Sequence, residues 1–364
     1  MRGARKSGVE ISGLILGEIM KSKMRMCVSQ FQVFDDEMAA FASQLGYTNI
    51  QMNSPALPGE KVWSLEDLKA LKSRMEQYGL KFVMVENVPL IFYDKVILGL
   101  PGRDEQLDNY LLTIRNLHEI GIEIFGHHFS PTFVWRTRDL DGRGGAQVTA
   151  FDAAEFELLG NESMKEVMKR KKHLLDYDVF EVMQDMTAED LFRNYEYFMK
   201  AVMPEAEKYD MKIALHPDDP PLRRGHHVER MICSLDDYKR AMNIADSPNW
   251  GVNLCLGCCS ELGGANGVKE AIRYFGGRKK LFSVHFRDVQ GQLPHFQECF
   301  LGEGNFNPPE IIRLLAEYKY DGLIMEDHVA KLSFDTVYGH RARAHELGYI
   351  KGLIDMMNYD EEQK

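Results

Sequence analysis

The chain has 364 residues, a formal net charge of −11, and 45% hydrophobic against 27% charged residues. This is the composition of a soluble globular enzyme with length enough for a sizeable core, and the acidic balance argues against a general nucleic-acid binder. No run reaches the roughly 18 apolar residues of a membrane span. The six cysteines show no regular disulfide spacing, which points to a reducing cytoplasm.

The N-terminal run "ISGLILGEIM" is broken by Glu18 and lacks a small-residue cleavage pattern, so it does not read as a signal peptide. Residues 1–23 read as an N-terminal extension, mobility being one reading of it, and 24–358 as a single domain. From Met24 short apolar runs alternate with amphipathic ones. The strands expected in chain order are "MCVSQF", "YTNIQM", "LKFVMVENV", "IEIFGHHF", "MKIALH", "WGVNLC", "LFSVHF" and "DGLIMED". Helical stretches separate them, several closing on glycine before the next strand: Gly46, Gly79, Gly121 and the pair Gly276–Gly277. Strongly apolar strands alternating with helices predict a parallel sheet. About eight such units predict a (β/α)8 TIM barrel, and no GxGxxG turn follows the first strand to favour a dinucleotide fold. Two long segments, 136–186 after the fourth strand and 217–234 after the fifth, belong to the C-terminal face of such a barrel. Loops there shape active sites.

The later strands end in chemistry. The fifth ends at His216, the sixth at Cys255, the seventh at His285 and the eighth at Asp327, followed by His328. Each alone has an ordinary structural reading: a hydrogen-bonded histidine, a small buried thiol, a turn-forming aspartate. Together at four consecutive strand ends they form a set suited to one divalent transition metal. "CLGCC" at 255–259 contains C-x-x-C, but no second cysteine pair follows at structural-zinc spacing. Substrate contacts are expected from Arg287, which shares a strand side with His285, from Trp135 and Arg136 at the start of the long fourth loop, and from Asn253, Glu86 and His128.

The sequence resembles the D-mannonate dehydratases from about Met24 to Gly352. The resemblance is carried by "GEKVWSLEDL", "VENVP", "WRT", "LHPDDPP", "CLGCCSELG", "VHFRD", "EDH" and "YIKGL", of which "HPDDPP" is the most specific. It implies a xylose-isomerase-like barrel that dehydrates D-mannonate to 2-keto-3-deoxy-D-gluconate, usually with manganese. It implies metal ligands at His216, Cys255, His285 and Asp327 and a catalytic histidine at His328. The chain departs from the family pattern in three places. Met325 and Glu326 stand where the family has Arg-Pro before the aspartate, and Val329 where it has Gly. The family's Cys-Thr-Gly-Ser run is Cys-Leu-Gly-Cys here. The catalytic tyrosine of the family falls near Ala344, so the second acid–base group is expected at His345 or at a tyrosine, Tyr338 and Tyr349 being the other candidates. These changes keep open a metal-dependent isomerase or epimerase, or a non-catalytic metal- or sugar-binding relative. The expected partners are a small sugar acid and further copies of the chain, with no nucleic acid and no membrane.

Overall fold

The structure is a computed structural model that describes residues 22–132, 134–159, 175 and 177–363. Most of the expected N-terminal extension, and residues 160–174 and 176 of the fourth loop, lie outside the described residues.

Eight parallel strands close into a barrel. They are β1 (Arg25–Val28), β2 (Asn49–Met52), β3 (Lys81–Val85), β4 (Ile124–His127), β7 (Lys212–Leu215), β10 (Trp250–Cys255), β11 (Leu281–His285) and β14 (Leu323–Met325). Each coincides with one of the eight apolar runs, β1 beginning one residue before its run, so the (β/α)8 barrel read from the sequence is the fold observed. Their continuous hydrophobicity has a simple cause: one face packs on the barrel interior and the other on helices. Cys27, Val83, Met84, Ile124, Ala214, Phe282, Leu323 and Met325 form the interior cluster.

The outer layer comprises α1 (Asp36–Gln44), α2 (Leu65–Glu76), α4 (Arg103–Glu119), α7 (Ala188–Lys208), α8 (Leu235–Ala245), α9 (Leu256–Gly276), α10 (Pro308–Glu317) and α11 (His340–Glu362), with short α3 (Asp94–Leu98), α5 (Ala153–Leu158) and α6 (Val179–Met183) in the loops. Side chains start them: Asp35, Ser64, Ser234 and Asn307 each accept a backbone N–H, and Thr187 with Asp190 closes a reciprocal capping box. Gly46, Gly79 and Gly121 close helices with φ of +79°, +70° and +79°. The Gly276–Gly277 pair does not, contrary to expectation. Both residues keep negative φ, and the left-handed position falls on Lys279. Gly276 answers a packing need instead: a Cβ there would stand 2.9 Å from Tyr318 Cγ.

At the C-terminal face the fourth loop builds β5 (Arg138–Asp141) and β6 (Gln147–Asp152). These join β12 (Val289–Gln292) and β13 (His295–Glu298), from the loop after β11, in one antiparallel sheet ordered β12-β13-β6-β5. The fifth loop holds the small ribbon β8 (Arg224–Gly225) and β9 (Val228–Glu229).

Candidate active site

The strand ends that carry chemistry belong to neighbours in the barrel, β7, β10, β11 and β14. Cys255 pairs with His285, and His285 with Met325, two residues before Asp327. This register sets four side chains around one point. Ligand atoms of His216, Cys255 and His285 lie within 4.8 Å of one another. Asp327 Oδ2 is 3.5 Å from His285 Nδ1 and 3.9 Å from the Cys255 sulfur.

The surroundings of the imidazoles select which nitrogens face that point. His216 Nδ1 donates to the Pro217 carbonyl at 2.7 Å, leaving Nε2 as its free lone pair. His285 Nε2 sits 3.1 Å from the Glu86 carboxylate, while its Nδ1 is buried and outside hydrogen-bonding geometry to any neighbour. A carboxylate behind one nitrogen and an unsatisfied second nitrogen is the usual support of a metal-bound histidine. Burial alone would raise the Cys255 thiol. The Cys258 thiol, the Arg287 guanidinium and the two imidazoles outweigh that and hold it well below its usual range. Nitrogen, thiolate and carboxylate donors converging in this way fit a divalent transition metal.

A second trio, Asp219, Cys258 and Glu261, is equally tight. Its cation is already present. Arg287 donates to Asp219 at 2.7 Å, to Glu261 at 3.0 Å and to the Cys258 sulfur at 3.4 Å. The glycine at 257 makes room for it, since a Cβ there would stand 2.1 Å from Arg287 Nη1.

Above the four side chains opens a cavity of about 320 Å³ lined by His216, His285, Asp327, His328, Glu86 and His128, with Gln30, Asn53 and Asn87 offering amides. His328 Nδ1 bonds Glu298 Oε1 at 2.5 Å, and its Nε2 lies 3.9 Å from Asp327 Oδ1. Burial lowers the affinity of this imidazole for a proton, but the charges of Asp327 and Glu298 raise it more, so its pKa is lifted above the ordinary histidine value. His128 is the opposite case. Its burial outweighs the bond of its Nε2 to Asp218 at 3.2 Å, and the ring favours the neutral form.

The structure thus brings His216, His285, Asp327, His328, Glu86 and His128 to one cavity, with Cys255 buried beside His216 and His285. Other expected contacts stand elsewhere. His345 is exposed on α11 with its ring against Phe300, 6.0 Å between centroids, and does not line the cavity. Trp135 is 1% exposed and sandwiched between Phe156 and the Arg230 guanidinium. Arg287 and Arg136 are occupied by buried carboxylates. Arg287 Nε holds Asp327 Oδ2 at 2.9 Å; Arg136 holds Asp219 at 2.6 Å and Glu298 at 2.7 Å. Asn253 is fully buried beneath His285 Nε2, 3.0 Å away. These three position the site from behind rather than lining it. The sequence reading missed Glu298, which arrives on the accessory sheet, and Arg343, which donates to Glu326 at 3.1 Å and to the Asp327 carbonyl at 3.0 Å.

The D-mannonate dehydratase (UxuA) family model matches residues 26–364. A mannonate dehydratase of Lactococcus lactis subsp. cremoris is 30% identical over 331 residues, covering 84% of this chain and 90% of the relative. One from Enterococcus faecalis is 31% identical over 330 residues, covering 85% and 90%. The crystal structure of mannonate dehydratase from Streptococcus suis serotype 2 superposes with a TM-score of 0.81 at 27% identity, covering 94% of this chain and 97% of that one. An L-ribulose 3-epimerase superposes with a TM-score of 0.57 at 13% identity, which is a likeness of fold alone. A barrel with this donor set at these strand ends, matched along nearly its whole length, belongs to the D-mannonate dehydratase family.

Proposed function

We propose that the protein removes water from D-mannonate to give 2-keto-3-deoxy-D-gluconate, with His216, Cys255, His285 and Asp327 holding a manganese ion. The observation that carries the reading is the buried, unsatisfied Nδ1 of His285 aimed at the Cys255 and Asp327 donors, with Glu86 behind its other nitrogen. When bound, a divalent cation supplies Lewis-acid stabilisation of the negative charge that gathers on the substrate carboxylate as its α-proton leaves.

The chain itself supplies the proton transfers. Loss of water needs a base for the C2 proton and an acid for the C3 hydroxyl. Glu298 ties up His328 Nδ1, so Nε2 is the nitrogen left to give a proton to the leaving hydroxyl. Flanking carboxylates favour the protonated ring that this role needs. His128 is the counterpart: Asp218 engages its Nε2, and a neutral ring leaves Nδ1 as a base for the C2 proton. Gln30, Asn53 and Asn87 offer donors and acceptors to the remaining hydroxyls. A homo-oligomer in a reducing cytoplasm completes the proposal; the six cysteines are free thiols.

The test is incubation of manganese-loaded protein with D-mannonate and an assay for the 2-keto-3-deoxy acid. Interconversion of keto sugars without that product would replace this reading by the epimerase one. Cys255→Ser and His216→Ala should each lower bound manganese, measured by elemental analysis; full occupancy in both would sink the ligand assignment.

A further inference from the structure

Cys255 is the N-cap of α9 and Cys258 lies within its first turn. The helix start sets the two thiols side by side, three residues apart, and Arg287 Nη2 reaches the Cys258 sulfur at 3.4 Å. A C-x-x-C pair at a helix N-terminus is the arrangement of dithiols that cycle to a disulfide. In this chain it includes a residue of the metal set, and its second cysteine stands where the resemblance puts serine. Cys255 is itself fully buried, one layer beneath the mouth of the barrel. His216 and His285, the neighbours of Cys255, line the mouth cavity. Cys258 lines a separate cavity of about 340 Å³ between α8 and α9, whose wall includes Pro217, Tyr238 and Cys259, and whose rim residue Leu262 is 44% exposed.

We infer that Cys255 and Cys258 form a reversible disulfide in the metal-free protein, with hydrogen peroxide as oxidant, and that this modification removes the thiolate from the metal set. The Cys255 thiolate attacks one peroxide oxygen, the O–O bond breaks, and hydroxide leaves as the sulfenic acid forms. The Cys258 sulfur then attacks the sulfenic sulfur, the S–O bond breaks, and the departing hydroxide takes the thiol proton as water. Two electrons pass from the pair to one peroxide, giving one water and one hydroxide. A small thiol entering the second cavity attacks Cys258 and releases Cys255, and a second thiol then frees Cys258 from the mixed disulfide. A bound cation blocks the first step by occupying the Cys255 sulfur. Loss of metal binding rests on Cys255 being a ligand, as proposed above; formation of the disulfide does not.

Metal-free protein treated with stoichiometric peroxide should lose 2 mass units, regained with dithiothreitol, and peptide mapping should join residues 255 and 258. Manganese uptake should fall at least tenfold and return on reduction. Cys258→Ser should show no such mass loss and should instead gain about 16 mass units, the Cys255 sulfenic acid left without its resolving thiol. Manganese-loaded protein should resist oxidation. No linkage between 255 and 258, or a linkage only to Cys259 or Cys233, overturns the inference. A mapped 255–258 disulfide with unchanged manganese uptake keeps the disulfide and refutes Cys255 as a ligand.

Discussion

Replacing Arg287 by methionine separates two roles that the sequence alone left together. If the guanidinium gripped the substrate carboxylate, its loss would raise KM and leave stability unchanged. In the structure it is 2% exposed and donates to three buried carboxylates, Asp327, Asp219 and Glu261. Removing one partner of a buried ion pair costs about 3–5 kcal/mol, because the other charge stays behind without compensation. Arg136 still serves Asp219 at 2.6 Å and Glu261 at 3.4 Å, and burial beside Asp219 pushes Glu261 up to about 8, so that it is readily neutralised. Asp327 is the carboxylate left short of a cation, keeping His285 at 3.5 Å and His328 at 3.9 Å. The lower end of the range, about 3 kcal/mol, therefore applies to the metal-free protein. Urea unfolding followed by the fluorescence of Trp63, Trp135 and Trp250, all fully buried, measures it. A loss below about 0.5 kcal/mol, the ordinary effect of a surface substitution, together with a raised KM, would refute the positioning role.

Gly257→Ala should act in the same direction by crowding Arg287, and its cost in the double variant with Arg287→Met should fall well short of the sum, because both changes disrupt one contact. Glu298→Gln replaces a charged acceptor of His328 by a neutral one and should lower kcat by about 10- to 100-fold with little change in KM; an unchanged kcat would remove Glu298 from the site. His127 is buried against Tyr195, and burial pushes its pKa down to about 3 from the ordinary 6.5. A depressed histidine is neutral when folded while the unfolded chain takes up its proton, so stability is present above pH 6.5 and drains away toward pH 3. Between pH 6.5 and pH 4 this amounts to about 3 kcal/mol. His127→Leu should flatten that part of the stability profile, and an unaltered profile would count against the burial argument.

The barrel was legible because its strands are buried on both faces and so read as unbroken apolar runs, with the chemistry placed where each run stops. His216, Cys255, His285 and Asp327 needed only the order of those runs. His345 could have been rejected on the same page: Leu347, Ile350 and Ile354 mark the buried stripe of α11, and His345 falls outside it. Glu298 had no comparable signal. It is placed by antiparallel pairing across more than a hundred residues, Phe296 against Phe151 and His295 against Asp152, and no local periodicity encodes so distant a partner.

The altered run before Asp327 shows how a departure from a family pattern is absorbed physically. Met325 packs in the barrel interior, among Cys27, Val83 and Met84, where an arginine would be a buried charge. Glu326 beside it is fully buried, a placement that is costly unless its charge is met. Arg343 meets it at 3.1 Å from the first turns of α11 and caps the Asp327 carbonyl with the same nitrogen, while Tyr338 reaches both Glu326 and the Ser29 carbonyl. Cationic support for this segment is thus delivered by the last helix. Glu326, just after β14, and Arg343 on α11, far apart in sequence, are two halves of one buried ion pair.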